Sequence, residues 1–84
     1  MSATFERVRE MLAKEFSLDP ARIELDTPLE ELGVDSLAAL EFAFELEDAF
    51  KVSLDPQSDL RGGRVSDVVA AVDAAISRRE SANG

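Results

Sequence analysis

Ser36 lies in the run Gly33-Val34-Asp35-Ser36-Leu37, between a proline-bearing loop and an amphipathic stretch that starts at once. Asp35 is a favoured N-cap residue and Gly33 breaks the preceding turn. Ser36 is therefore expected at the first or second position of a helix, where backbone N–H groups have no partner inside the helix. Those N–H groups and the positive end of the helix dipole favour an anion. A hydroxyl at such a place suits a phosphate ester. The same Asp-Ser pair also serves as an ordinary helix cap, and these residue types alone do not choose between the two uses.

The rest of the chain limits what Ser36 can do unaided. Histidine and cysteine are both absent. Ser36 thus has no Ser-His-Asp partner, and a serine beside an aspartate is a weak nucleophile at neutral pH. The acidic pairs Glu30-Glu31 and Glu47-Asp48 are sequence neighbours whose side chains diverge on a helix, so they read as solvated acids and not as an acid–base couple. No loop has the ligand spacing of a calcium site, and no metal ligands are assigned. The chain is not expected to be an enzyme: another protein acts on Ser36, and another group supplies the reactive atom.

The elements that must position Ser36 are helical. Ser2 can cap a first helix in which Phe5, Val8, Leu12 and Phe16 recur at helical spacing, with Met11 beside them. From Ser17 to Val34 the pattern is broken by Asp19-Pro20 and Thr27-Pro28, each read as a cap followed by a first-turn proline. Leu18, Ile23, Leu25, Leu29 and Leu32 should anchor this long loop across the helices. A second helix spans about Ser36 to Phe50. Its positions Ala39, Phe42, Ala43, Leu46 and Phe50 form the core stripe. Leu37, Leu40 and Phe44 form a narrower second row, beside Glu41, Glu45, Glu47 and Asp48. That row reads either as a docking surface with a charged border or as a widening of the core stripe. Asp55-Pro56 opens a short helix that should end by Leu60 or Arg61, because Gly62-Gly63 cannot continue it, and residues 61 to 64 should be loose. A last helix buries Val65, Val68, Val69, Val72 and Ile76, with Ser66 or Asp67 near its start and Arg78 and Arg79 complementing its dipole at the end. Residues 80–84 should fray. The architecture is all-α: a small bundle of three main helices plus a short third one, with a long loop between helices 1 and 2.

Bulk properties agree with one small folded domain over residues 1–79. The chain has 84 residues, 45% of them hydrophobic, enough for a single small core. Eighteen acidic residues against nine basic give a net charge of −9, which disfavours nucleic acid and favours basic protein surfaces as partners. No apolar run is long enough to span a membrane and no secretory pattern opens the chain, so a cytoplasmic, monomeric protein is expected.

Along nearly its whole length the chain resembles an acyl carrier protein. The resemblance rests on Leu32-Gly33-Val34-Asp35-Ser36-Leu37 followed by the glutamate-bearing helix from Leu40-Glu41 to Leu46-Glu47-Asp48-Ala49-Phe50, together with the loop proline, size and acidity. It implies a carrier of acyl groups for fatty-acid, polyketide or related specialised biosynthesis. Ser36 would receive 4'-phosphopantetheine from coenzyme A through a phosphopantetheinyl transferase, and the arm's thiol would hold the acyl group as a thioester. Asp35, Glu41, Glu47 and Asp48 match acids read by basic patches on acyl-transferring, ketosynthase or acyl-ligase enzymes. Leu37, Leu40 and Phe44 match the apolar part of that surface, and Asp35 also matches the residue that helps bind the transferase's metal. Phe42, Ala43 and Leu46 would line an internal space for the acyl chain.

Three departures point to a specialised carrier. Ala38 stands where fatty-acid carriers usually place another acid, Arg61-Gly62-Gly63-Arg64 replaces an acidic short helix, and Phe44 replaces the usual methionine. Val34 occupies the place where peptidyl carriers usually show a second glycine. The competing reading from a different class is an unmodified helical interaction protein that grips a basic partner with the same row and acids.

Overall fold

The computed structural model describes residues 3–55, 60 and 63–83, with side chains to Glu80. Three α-helices make the body: α1, Ala3–Phe16; α2, Ser36–Phe50; and α3, Val65–Asn83. Two 3-10 turns, Pro20–Arg22 and Leu29–Leu32, lie in the loop between α1 and α2. The short helix expected after Asp55-Pro56 and the cap expected at Ser2 fall outside the described residues.

The core follows the apolar stripes. Val8 and Leu12 of α1, Phe42, Ala43 and Leu46 of α2, and Val65, Val68 and Val72 of α3 are all buried, joined by Leu60. Phe5, Met11, Phe16, Phe50 and Ile76 pack at its edge. The Phe16 and Phe42 rings meet tilted, with centroids 6.3 Å apart, so α1 and α2 share an aromatic contact. At the other end of α1, the Thr4 hydroxyl donates to the Asp73 carboxylate of α3 at 2.6 Å.

The long loop is held by its own hydrogen bonds as well as by apolar anchors. Asp19 caps the first turn by accepting from the Ala21 N–H, with Pro20 next, as its sequence predicts. Thr27 does not cap the second. Its hydroxyl accepts instead from the Glu24 N–H, and Pro28 takes the cap position without a side-chain bond. Ile23 and Leu29 are buried, whereas Leu25 is 46% exposed, contrary to its expected role as an anchor. Its backbone is what is used: the Leu25 carbonyl accepts from the Ser66 N–H, and the Thr27 carbonyl from the Val65 N–H. Two orphan donors at the start of α3 are thereby satisfied by the loop.

This fastening also ties down Gly63 and Arg64, which were expected to be loose. The Gly63 carbonyl accepts from the Leu29 N–H. The Arg64 N–H donates to the Asp67 carboxylate at 2.8 Å, and its guanidinium donates to the Asp26 carbonyl. A Cβ on Gly63 would come within 2.8 Å of that carboxylate, so a larger residue there would push the Asp67 side chain away from the Arg64 N–H. Residues 61 and 62 lie outside the described residues.

Arg78 and Arg79 were expected at the end of the last helix, but α3 continues to Asn83, through the segment 80–83 read as a fraying tail. With no proline or glycine before Gly84, nothing in the sequence stops it earlier. Arg79 serves a different helix end. Its guanidinium donates to the carbonyls of Phe50 and Lys51, the C-terminus of α2, where a positive charge also complements the dipole. Replacing it, Arg79→Ala, is expected to cost about 1–2 kcal/mol, since a charged donor and its helix-end carbonyls are lost together. A urea unfolding midpoint indistinguishable from wild type would show that this cap is idle.

Candidate functional site

Each residue from Gly33 to Ala39 has a local reason for its conformation. Gly33 closes the second 3-10 turn in the left-handed region at φ 87°, a geometry that disfavours side chains even though open space surrounds its Cα. The Val34 N–H then donates to the Leu29 carbonyl, and its side chain is buried. Val34 is an anchor that the sequence pattern missed, because a lone valine between a glycine and a cap carries no periodicity.

Asp35 follows as N-cap, extended at φ −93° and ψ −173°, and its Oδ1 accepts from the Ala38 N–H at 2.8 Å. The Asp35 carbonyl accepts from the Ala39 N–H. Ser36 is thus the first residue of α2, and it is exposed.

The arrangement presents a hydroxyl without activating it. Asp35 holds the helix N-terminus through Oδ1, and among the described residues no hydrogen bond joins its carboxylate to the Ser36 hydroxyl. The two remaining early N–H groups, of Ser36 and Leu37, belong to exposed residues beside the hydroxyl. A phosphoryl group on Ser36 would sit where those donors and the helix dipole favour negative charge, so the residues present fit a phosphate-linked arm.

Beyond Ser36, α2 shows two distinct sides. At about 100° per residue, Leu37, Glu41, Phe44 and Asp48 fall opposite the buried stripe of Ala39, Phe42, Ala43 and Leu46. Leu37 is 65% and Phe44 58% exposed, and Leu40, nearer the core boundary, is 40% exposed. The row is a surface and not a widened core. Glu41 and Asp48 are exposed on the same side. Glu47 stands apart: its carboxylate accepts from the Leu54 N–H at 2.8 Å and holds the segment that follows α2. Phe42, Ala43 and Leu46, the residues suggested for an acyl pocket, are fully packed in the core.

Glu45 lies between this face and α1. A hydrogen bond with the Glu15 carboxyl raises its pKa above the ordinary glutamate value, helped by partial desolvation and the charges of Glu15 and Glu41, while Lys14 opposes the shift. A raised folded-state pKa means that the folded chain binds this proton more tightly than the unfolded one. The ionised group therefore weighs against folding at neutral pH, and this burden lifts as pH falls through the folded pKa. Glu45→Gln should raise the melting temperature at pH 7 by a small amount, since the site is exposed, and the gain should shrink toward pH 4. A gain that instead grew in acid would contradict the carboxyl pair.

Residues 6–72 match the family model described as the phosphopantetheine attachment site. The chain belongs to the acyl carrier protein family. An acyl carrier protein of Streptococcus pneumoniae serotype 4 is 34% identical over 71 residues, covering 84% of this chain and 93% of its own length. One from Aster yellows witches'-broom phytoplasma is 38% identical over 66 residues, 77% of this chain and 87% of its own. The non-reducing polyketide synthase dbaI of Emericella nidulans matches 66% of this chain at 46% identity, but over 2% of its own length. Acyl carrier proteins are carriers and not enzymes, and the family's cofactor is covalent 4'-phosphopantetheine. Among the described residues, no helix is long and apolar enough to cross a membrane.

Proposed function

We propose that Ser36 bears the arm and that the outer face of α2 presents it to partner enzymes. The observation that carries this reading is the continuity of an exposed first-turn serine with an exposed row, Leu37, Leu40 and Phe44, bordered by Glu41 and Asp48. In loading, Ser36 Oγ forms a bond to the phosphorus of coenzyme A that joins the arm. The pyrophosphate bond breaks, the adenosine bisphosphate leaves, and the hydroxyl proton passes to a base of the phosphopantetheinyl transferase. Asp35 keeps Ser36 at the head of the helix throughout, and its second carboxylate oxygen is the one left for the transferase's metal.

The partners are acyl-transferring, ketosynthase or acyl-ligase enzymes with basic patches, and the carrier serves fatty-acid, polyketide or related specialised acyl biosynthesis as a monomer. Asp35 and Glu47 contribute negative field to docking, Glu47 from its place on the Leu54 N–H. Ala38 in place of an acid and Phe44 in place of a flexible methionine support a narrow set of partners. A sheltered acyl chain would lie against Phe42, Ala43 and Leu46, and would have to part them first.

Exposed like charges add little to folding stability, so the acids should act through docking. Reversing two of them, Glu41→Lys with Asp48→Lys, is expected to slow acyl transfer to a partner by at least about tenfold at low salt, with a flatter dependence on ionic strength. Unchanged transfer rates with an unchanged salt dependence would reduce these acids to a solvated face.

A further inference from the structure

The far end of α2 carries the opposite sign. Lys51 follows the helix in the left-handed region, at φ 56°, and with Arg78 and Arg79 of α3 it rims a surface groove floored by Val52 and Ala75. Three of the chain's nine basic residues meet there, on a protein of net charge −9. The negative groups nearby are already engaged. Glu47, at the groove's α2 edge, is the one carboxylate among the described residues that lines it and is turned onto the Leu54 N–H, the Phe50 and Lys51 carbonyls accept from Arg79, and Asp48 makes a 3.7 Å pair with Lys51 in which both side chains are more than three-quarters exposed. Such an exposed pair is weak and yields readily to a better ligand. Arg78 is exposed and has no hydrogen-bond or ion-pair partner among the described residues.

We propose that this groove takes an acidic segment of the partner protein that docks on α2. The inference rests on the reading of α2 as the partner face. Lys51 lies three residues beyond Asp48, so the groove continues the acidic border and reverses its charge. A partner that places basic groups over Glu41 and Asp48 and carboxylates over Lys51 and Arg78 fits in one register. Sliding along the helix sets like charges against each other, which is how mixed-sign surfaces select orientation. The apolar floor of Val52 and Ala75 takes the methylene stems or a small apolar side chain of the segment.

The test needs neither the arm nor a known partner. The unloaded carrier is titrated in amide NMR, at fixed ionic strength, with a synthetic Glu-rich peptide containing one leucine. A Lys-rich peptide and inorganic phosphate are used in separate arms. The Glu-rich peptide should shift the amides of Lys51, Val52, Ser53 and Arg78, and Lys51→Glu with Arg78→Glu should weaken that binding roughly tenfold or more while Arg78→Lys retains it. No shift at these amides, or equal binding by the reversed variant, overturns the proposal. The same shifts with phosphate alone also overturn it, because the groove would then be a small-anion site. Failure here leaves loading at Ser36 untouched, whereas failure of loading leaves this titration unaffected.

Discussion

Phe42→Ala is expected to remove about 3–5 kcal/mol of folding stability, the cost of truncating a large buried ring and leaving a cavity. Phe42 is 1% exposed and touches Phe16 across the α1–α2 contact. For 84 residues the whole stability is of order 4–13 kcal/mol, so this one change removes a large fraction of it. Leu37→Ala, on the exposed side of the same helix, should shift stability by about 0.5 kcal/mol or less. Urea unfolding of the two variants measures the contrast directly. The result bears on function as well. A loss under about 1 kcal/mol at Phe42 would describe a core slack enough to admit a guest chain, whereas the full loss describes one that an acyl group must force apart.

Ser36→Ala has the largest functional effect expected of any substitution: complete loss of the arm with the helices intact. The reason lies in how little Ser36 does for the fold. The cap is Asp35, whose Oδ1 holds the Ala38 N–H, and the core contacts of this turn come from Val34 and Ala39. Alanine at the first helical position is well tolerated. Helical circular dichroism and melting temperature should therefore stay near wild type while loading falls to zero. By the opposite logic, a cap-only serine would leave loading unchanged when removed.

Much of this was legible in the sequence wherever one residue type has a dominant reason to be where it is. Asp35 and Asp19 announce their caps, Gly33 announces the break before α2, and the apolar stripes of all three helices mark their buried sides. The exposed row on α2 was visible too, although only the structure separates it from the core. The misreadings have a common cause in tertiary partners for local groups. α1 and α2 both end with a left-handed residue that is not glycine, Ser17 at φ 55° and Lys51 at φ 56°. Each is held because the next N–H reaches back five residues, Leu18 to Ala13 and Val52 to Glu47. Arg79 looked like a cap for its own helix and caps another, Thr27 folds back on Glu24, and Leu25 turns its backbone inward and its side chain out. None of these follows from propensity or periodicity, which describe one element at a time.

The central claim, that Ser36 carries the arm, has a direct measurement. The chain is coexpressed with a phosphopantetheinyl transferase, weighed intact, and then digested with trypsin. Cleavage after Arg22 and Lys51 releases a peptide of residues 23–51 in which Ser36 is the sole serine. A single mass increment of the arm on that peptide, absent from Ser36→Ala, is the expected result. No increment on the intact chain, or an increment on any other peptide, contradicts the account.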